Sequence, residues 1–120
     1  MPSILSRQVI FTKNIAKLIN HIGSVGYSCT FGDAYRTPEQ AKANAAAGKG
    51  IAQSLHCVRL AVDLNLFDEN NKYLTEPNNQ YTEIGRYWES LNVDNRWGGF
   101  FVLKYHGRLS DANHYEMKDI

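Results

Sequence analysis

The stretch that decides the fold prediction is SLHCVRLAVDL, residues 54–64, which sets a histidine and an aspartate into an otherwise apolar run. From Leu60 onward, leucine and valine alternate with other residues, which is the two-residue period of a strand with one buried face. The alternation predicts that Asp63 stands on the face opposite to the leucines. His56 would then fold back toward Asp63 from the preceding loop.

A helix through this stretch would hold the two side chains too far apart to share one metal ion. His56 and Asp63 are seven positions apart, and a helix rising about 1.5 Å per residue would separate their backbones by roughly 10 Å. A loop followed by a strand removes this difficulty. We therefore interpret His56 and Asp63 as two of three metal ligands.

A second alternating segment, DANHYEM at residues 111–117, places another histidine near carboxylates. As a short strand it would carry His114 and Glu116 on one face and apolar side chains on the other. With His114 as third ligand, two imidazoles and one carboxylate form an open zinc site that leaves a position for water. Spacing alone leaves Asp111 and Glu116 as equal candidates for the general base. The alternative is a histidine and an aspartate that are simply hydrogen-bonded.

Three helices and a further strand are predicted as the scaffold. Ser6 is the predicted cap of a first helix with an apolar stripe at helical spacing. The segment TPEQ, residues 37–40, starts a second helix, with Gln40 placed to complete a capping box. Residues 81–91 have the apolar face of a third helix, and residues 27–31 are β-branched and aromatic like a strand.

Length and composition narrow the class of protein. The 120 residues predict one domain over residues 1–120 with a single buried core. A net charge of +1 without a basic run gives no reason to expect nucleic-acid binding. No apolar run is long enough for stable membrane insertion, and we expect a protein made in soluble form in the cytoplasm. Cys29 and Cys57 are expected to be free thiols there.

For four residues outside these motifs, a structural or surface role is weighed against a functional one. His21 is expected to be structural or at the surface, and His106 to lie in an exposed loop. Trp97, beside a pair of glycines, is either a core residue or a pocket wall. Arg36 precedes a helix N-terminus, where a cation is unfavourable against the helix dipole. This mildly indicates that Arg36 is held for a partner anion rather than for helix stability, whereas a solvated loop arginine is the ordinary interpretation of such a position.

Together these motifs resemble the zinc peptidases of the M15 family, the VanY-like D-Ala-D-Ala carboxypeptidases. Within it they are most similar to small phage endolysins that cut L-alanyl-D-glutamate bonds. The resemblance extends from about residue 26 to residue 120. It rests on five segments in the same order as in the family: YRTPEQ at 35–40, SLH at 54–56, AVDL at 61–64, RWGG at 96–99 and DANHYE at 111–116.

For the metal centre, the resemblance implies that His56, Asp63 and His114 bind Zn²⁺ and that Asp111 is the catalytic acid and base. Glu116 matches a carboxylate common after the last histidine, where a supporting role is the modest assumption. The implied fold is α+β, of the kind shared with the hedgehog domain and DD-peptidases. Helices would pack on a small, mostly antiparallel sheet whose polar face bears the zinc site.

For the substrate, the resemblance implies that Arg36 anchors a carboxylate, a role that suits its planar guanidinium. Gln40, Ser54 and Trp97 would complete the substrate-binding set. The implied function is zinc-dependent hydrolysis of the peptidoglycan stem peptide by a phage endolysin. We expect a monomer that acts on the cell wall after a separate factor releases it from the host cytoplasm.

Two other functions fit the same motifs. One is a D-Ala-D-Ala carboxypeptidase or dipeptidase, and the other is a non-catalytic wall-binding or phage structural module of the same fold. The chain also departs from many relatives at two positions, since Arg59 stands where they have glycine and Phe100 where they have an acidic residue. These positions bear on the shape of the substrate groove.

Overall fold

The computed structural model describes residues 3–48, 54–75, 79–101 and 111–118. Within these ranges the helices are α1 (Ile4–Ser24), α2 (Pro38–Ala46) and α3 (Asn79–Ser90). The strands are β1 (Ser28–Phe31), β2 (Ala61–Phe67), β3 (Asn95–Trp97) and β4 (His114–Met117), and two short 3₁₀ turns span Leu55–Val58 and Gly98–Phe100. The α+β prediction is confirmed.

The four strands form one antiparallel sheet in the order β1-β2-β4-β3. The strand β4, last in the chain, therefore lies inside the sheet between β2 and β3. Its register sets His114 directly opposite Asp63 of β2, and Glu116 opposite Arg96 of β3. Residues directly opposite one another have neighbouring side chains on the same face, so the register brings two predicted ligands together.

One face of the sheet packs against α1 and α3. The apolar residues of β2, such as Leu64 and Leu66, are fully buried there, whereas Asp63 is partly exposed on the other face. The predicted alternation is thus confirmed. Burial of these side chains supplies the main stabilisation of the domain, and it fixes which way Asp63 points.

The first helix differs from its prediction at the N-terminus. It begins at Ile4, and the cap is Ser3, whose hydroxyl accepts the Ser6 N–H at 3.1 Å. The prediction of Ser6 as cap is wrong because the serine one turn earlier captures that N–H. The apolar stripe from Phe11 to Ile22 is buried as predicted. Across the described ranges, no helix combines the length and apolarity that crossing a bilayer requires.

The second helix begins as predicted, with half of the capping box. The Thr37 hydroxyl accepts the Gln40 N–H at 3.1 Å, and Pro38 occupies the first turn. The Gln40 side chain, however, donates to Asn44 Oδ1 at 2.7 Å instead of turning back to the cap. It is engaged along the helix surface one turn away.

Trp97 lies in the core. Its ring is only 1% exposed and its indole Nε1–H donates to the Ala112 carbonyl at 2.7 Å. The structure therefore supports the core alternative, and the assignment of Trp97 to substrate binding is corrected. Its strand β3 has no counterpart among the predictions, because three residues are too few to show a two-residue period.

Candidate metal centre

Three side chains converge on the polar face of the sheet: His56, Asp63 and His114. Each offers one ligand atom, and these atoms lie within 4.8 Å of one another. The Asp63 Oδ1 atom is 3.4 Å from His56 Nε2 and 3.1 Å from His114 Nδ1. One metal ion can thus contact all three groups after small side-chain adjustments.

His56 is positioned by the 3₁₀ turn that precedes β2. The Ser54 hydroxyl caps this turn by accepting the His56 N–H at 3.2 Å. The ring Nδ1 lies 3.1 Å from the Ala34 carbonyl. Because a carbonyl oxygen only accepts, Nδ1 carries a proton, and Nε2, on the side of Asp63, is the nitrogen left to bind a metal. The sequence predicted this fold-back of His56 from a loop.

The turn ends at Arg59, which has left-handed backbone angles of φ 57° and ψ 37°. Glycine adopts this conformation without steric cost, whereas a residue with a Cβ is strained in it. The Arg59 guanidinium lies over the Tyr35 ring at 4.3 Å from its centre. A cation–π contact therefore accompanies the strained backbone.

His114 has the opposite orientation. Its Nε2 is 2.7 Å from Glu116 Oε1, and its Nδ1 faces Asp63. Two ring nitrogens and one carboxylate are the ligand set of open zinc sites, in which a fourth position remains for water or substrate. The donor chemistry of the three residues therefore fits Zn²⁺. Asp63 keeps 23% of its side chain exposed, so the cluster is accessible from solvent.

The charges of the cluster are strongly coupled. Burial alone would raise the pKa of Asp63, but hydrogen bonds and charge interactions with His114 and His56 hold it well below its usual range. Burial alone would lower the pKa of His114, but its hydrogen bonds to Asp63 and Glu116 raise the pKa to about 9. Without metal, the carboxylate and the protonated ring thus stabilise one another.

Asp111 lies three residues before the candidate ligand His114. Its carbonyl accepts the His114 N–H at 3.0 Å, and its own N–H donates to the Gly98 carbonyl at 2.9 Å. The residue is exposed and lines a cavity of about 220 Å³ together with Asn113. Glu116, the other candidate base, is completely buried between His114 and Arg96. Of the two carboxylates, Asp111 is the one accessible to water.

Arg36 lies beside the His56 half of the cluster. Its backbone N–H donates to the His56 carbonyl at 3.3 Å, and its Nη1 is 3.4 Å from the Ser54 hydroxyl. Asp33 accepts from Arg36 Nη2 at 2.8 Å and from Nε at 3.2 Å. Ser54 thus joins Arg36 to a ligand, while Asp33 holds one edge of the guanidinium. This ion pair was not predicted from the sequence, although the spacing of three residues between Asp33 and Arg36 would have indicated it.

Some predicted residues lie apart from this cluster. The Gln40 amide is engaged by Asn44, and Trp97 is in the core. His21 pairs with Glu83 at 2.9 Å and stacks on an aromatic ring of α3, which agrees with a structural role. His106 lies outside the described residues.

Comparison with known proteins agrees with this geometry. A model of peptidase family M15, described as D-alanyl-D-alanine carboxypeptidase, matches residues 47–117, which include the three candidate ligands and Asp111. The crystal structure of Serratia marcescens L-Ala D-Glu endopeptidase ChiX is similar, with a TM-score of 0.64 at 15% identity. The match covers 88% of this chain and 79% of that chain, and at this identity it concerns the fold. No curated protein matches the chain.

Proposed function

This chain belongs to peptidase family M15, and from that premise we propose that it is a zinc-dependent peptidase that hydrolyses the stem peptide of bacterial peptidoglycan. The observation that carries the proposal is the convergence of His56, Asp63 and His114 within 4.8 Å, with the exposed Asp111 three residues before a candidate ligand. This arrangement unites an open three-ligand set with a candidate base.

In the proposed mechanism, the chain's own groups position the substrate and move one proton. Bound zinc supplies a Lewis acid and a water with a pKa near 7. Asp111 accepts a proton from the attacking water and passes it to the leaving amine as the C–N bond breaks. Arg36 holds a substrate carboxylate with the guanidinium edge that Asp33 leaves open. Glu116 is too buried to share the role of base.

For the scissile bond we propose the L-alanyl-D-glutamate bond. The structurally similar Serratia protein is named for cleaving an L-Ala D-Glu bond, and a D-glutamate carboxylate suits Arg36. We further propose that the protein is a monomeric phage endolysin, which reaches the wall after release by a separate factor. The family description favours D-alanyl-D-alanine carboxypeptidase activity as the second candidate.

Purified bacterial sacculi test these proposals directly. The zinc-supplied wild type is expected to release new amino groups, and mass spectrometry of the products distinguishes an L-alanyl-D-glutamate cut from loss of a terminal D-alanine. Asp111→Asn and His114→Ala are expected to reduce release at least 100-fold, whereas His21→Gln serves as a histidine control with wild-type activity.

Two outcomes would contradict the proposal at different levels. A wild type that binds zinc but releases no amino groups favours the wall-binding or structural module instead of a peptidase. Full activity in Asp111→Asn would leave the peptidase in place and remove Asp111 as its base.

A further inference from the structure

Four polar side chains form a row across three strands of the sheet. On β4, His114 and Glu116 share one face because they are two residues apart. Asp63 on β2 is directly opposite His114, and Arg96 on β3 is directly opposite Glu116. The row therefore runs from a predicted ligand at one end to an arginine at the other.

Glu116 connects the two ends of this row. Its Oε1 lies 2.7 Å from His114 Nε2, and its Oε2 lies 2.5 Å from Arg96 Nη2. The residue is 0% exposed. A buried carboxylate is costly unless a cation and hydrogen bonds compensate its lost hydration. Arg96 compensates part of that cost through its ion pair with Oε2, and His114 forms a hydrogen bond with Oε1.

The carboxylate determines which nitrogen of His114 is available to a metal. A carboxylate oxygen accepts the hydrogen bond of Nε2–H at 2.7 Å, so when a metal is bound Nδ1, on the side of Asp63, is the nitrogen that can offer it a lone pair. His56 is oriented by a neutral carbonyl, that of Ala34. A charged acceptor also makes the imidazole a stronger donor to a metal than a neutral acceptor does. The two histidines are therefore supported unequally.

We propose that Glu116 and Arg96 act together as positioning residues that set the zinc affinity of the site through His114. Arg96 holds the second oxygen of Glu116 and so keeps the first oxygen turned toward His114. The inference rests on the proposed zinc site, and it assigns to β3 a function beyond packing.

Zinc affinity, measured by chelator competition without substrate, tests this proposal. Glu116→Gln is expected to weaken zinc binding about 10- to 100-fold, as loss of a ligand's supporting carboxylate does elsewhere. Arg96→Met is expected to weaken it about 10-fold, and Arg96→Lys should restore part of that loss. Once Glu116 is glutamine, adding Arg96→Met should have little further effect, because the two residues act through one contact.

A matched control is available in the same fold. Arg7 is another largely buried arginine, and its partners are Asp94 at 3.5 Å and the Lys118 carbonyl rather than residues of the metal cluster. Arg7→Met should lower stability but leave zinc affinity unchanged. In zinc-loaded protein, nitrogen NMR should show the His114 proton on Nε2 in the wild type, and a weakened preference for that tautomer in Glu116→Gln.

The outcomes separate this inference from the proposed function. If both Arg96→Met and Glu116→Gln bind zinc within twofold of Arg7→Met, the positioning role is wrong, whatever their activity. If Glu116→Gln does not fold, the two Arg96 variants decide the question alone. A wild type that binds zinc yet leaves sacculi intact would overturn the peptidase proposal while the affinity ranking still stands.

Discussion

The two halves of the candidate metal site are held in contrasting ways. His114 lies on an inner strand, and each of its ring nitrogens faces a carboxylate. His56 lies on a four-residue 3₁₀ turn and is held by the neutral Ala34 carbonyl and the Ser54 cap. The substrate candidate Arg36 adjoins the turn half. The contrast indicates that the sheet gives the site its rigidity, whereas connecting segments present the groups that meet substrate.

The largest expected effect concerns two glycines beside the cluster, one packed against the Asp111–His114 segment and the other against Asp63. A Cβ added at Gly98 would lie 2.0 Å from the Asp111 carbonyl oxygen and 2.9 Å from His114 Cβ, whereas one at Gly32 would lie 3.1 Å from Asp63 Cβ. Gly98→Ala should lower the free energy of unfolding by about 3 kcal/mol, since backbone must move. Gly32→Ala should cost roughly 1 kcal/mol or less. Urea unfolding of both variants measures this, and equal losses would show that the backbone beside His114 is packed no more tightly than the backbone beside Asp63.

The second prediction compares the histidines themselves without metal. His114→Ala leaves the buried Glu116 without one of its partners, so it should lower the free energy of unfolding by about 2–3 kcal/mol. His56→Ala removes a hydrogen bond to a neutral carbonyl and should cost about 1 kcal/mol. Chemical denaturation in the presence of a chelator provides the comparison. A larger loss in His56→Ala would mean that the turn, not the sheet, is the rigid half.

The third prediction concerns pH and the same strand half. The pKa of His114 is raised to about 9 from an ordinary value of 6.5, so folding favours the protonated ring. Its stabilisation should be complete below about pH 6.5 and be lost as the pH rises through about 9. The lowered pKa of Asp63 acts oppositely, and its contribution is lost only as the pH falls below its usual value near 3.8.

Unfolding curves of the metal-free protein at pH 6, 7.5 and 9 check this dependence. The wild type should lose stability across that series, and His114→Asn should flatten it. His21→Gln is the control and should retain the decline. A wild type that gains stability toward pH 9 would show that the His114 ring folds in its neutral form.

The smallest effect on folding is expected at the turn half. The ion pair of Arg36 with Asp33 is partly exposed, since the Asp33 side chain is 56% accessible. Exposed pairs contribute little, so Arg36→Lys should change the free energy of unfolding by less than about 1 kcal/mol. Lysine lacks the planar guanidinium that binds a carboxylate through two hydrogen bonds. The substitution should therefore raise the KM for sacculus-derived peptides about 10-fold or more. An unchanged KM would remove Arg36 from the proposed binding site.

Local patterns were sufficient to predict part of this molecule. The alternation along β2 fixed the face of Asp63, and Thr37 with Pro38 fixed the start of α2. These features depend on neighbours in sequence, for which the physical rules are strong. The predicted cap of α1 was wrong because Ser3 and Ser6 have the same side chain. Only the residue at which the helix begins distinguishes them, and it begins at Ile4, after Ser3.

Other features depend on contacts that no local pattern encodes. Pairing of Arg96 with Glu116 follows from the register of β3 against β4, and β3 is too short to be recognised from its sequence. Asp111 is exposed and Glu116 is buried, a difference that spacing does not reveal. Burial likewise placed Trp97 in the core. Tertiary structure supplied each of these answers.

The interior position of β4 has a consequence for the order of events during synthesis. Asp63 meets its cross-strand partner only after a further 51 residues have been made, which takes roughly 3–10 s at the usual rates of translation. Until then β2 has no neighbour on its β4 side, and His56 and Asp63 form an incomplete ligand pair. The candidate metal site therefore cannot form before β4 has been made.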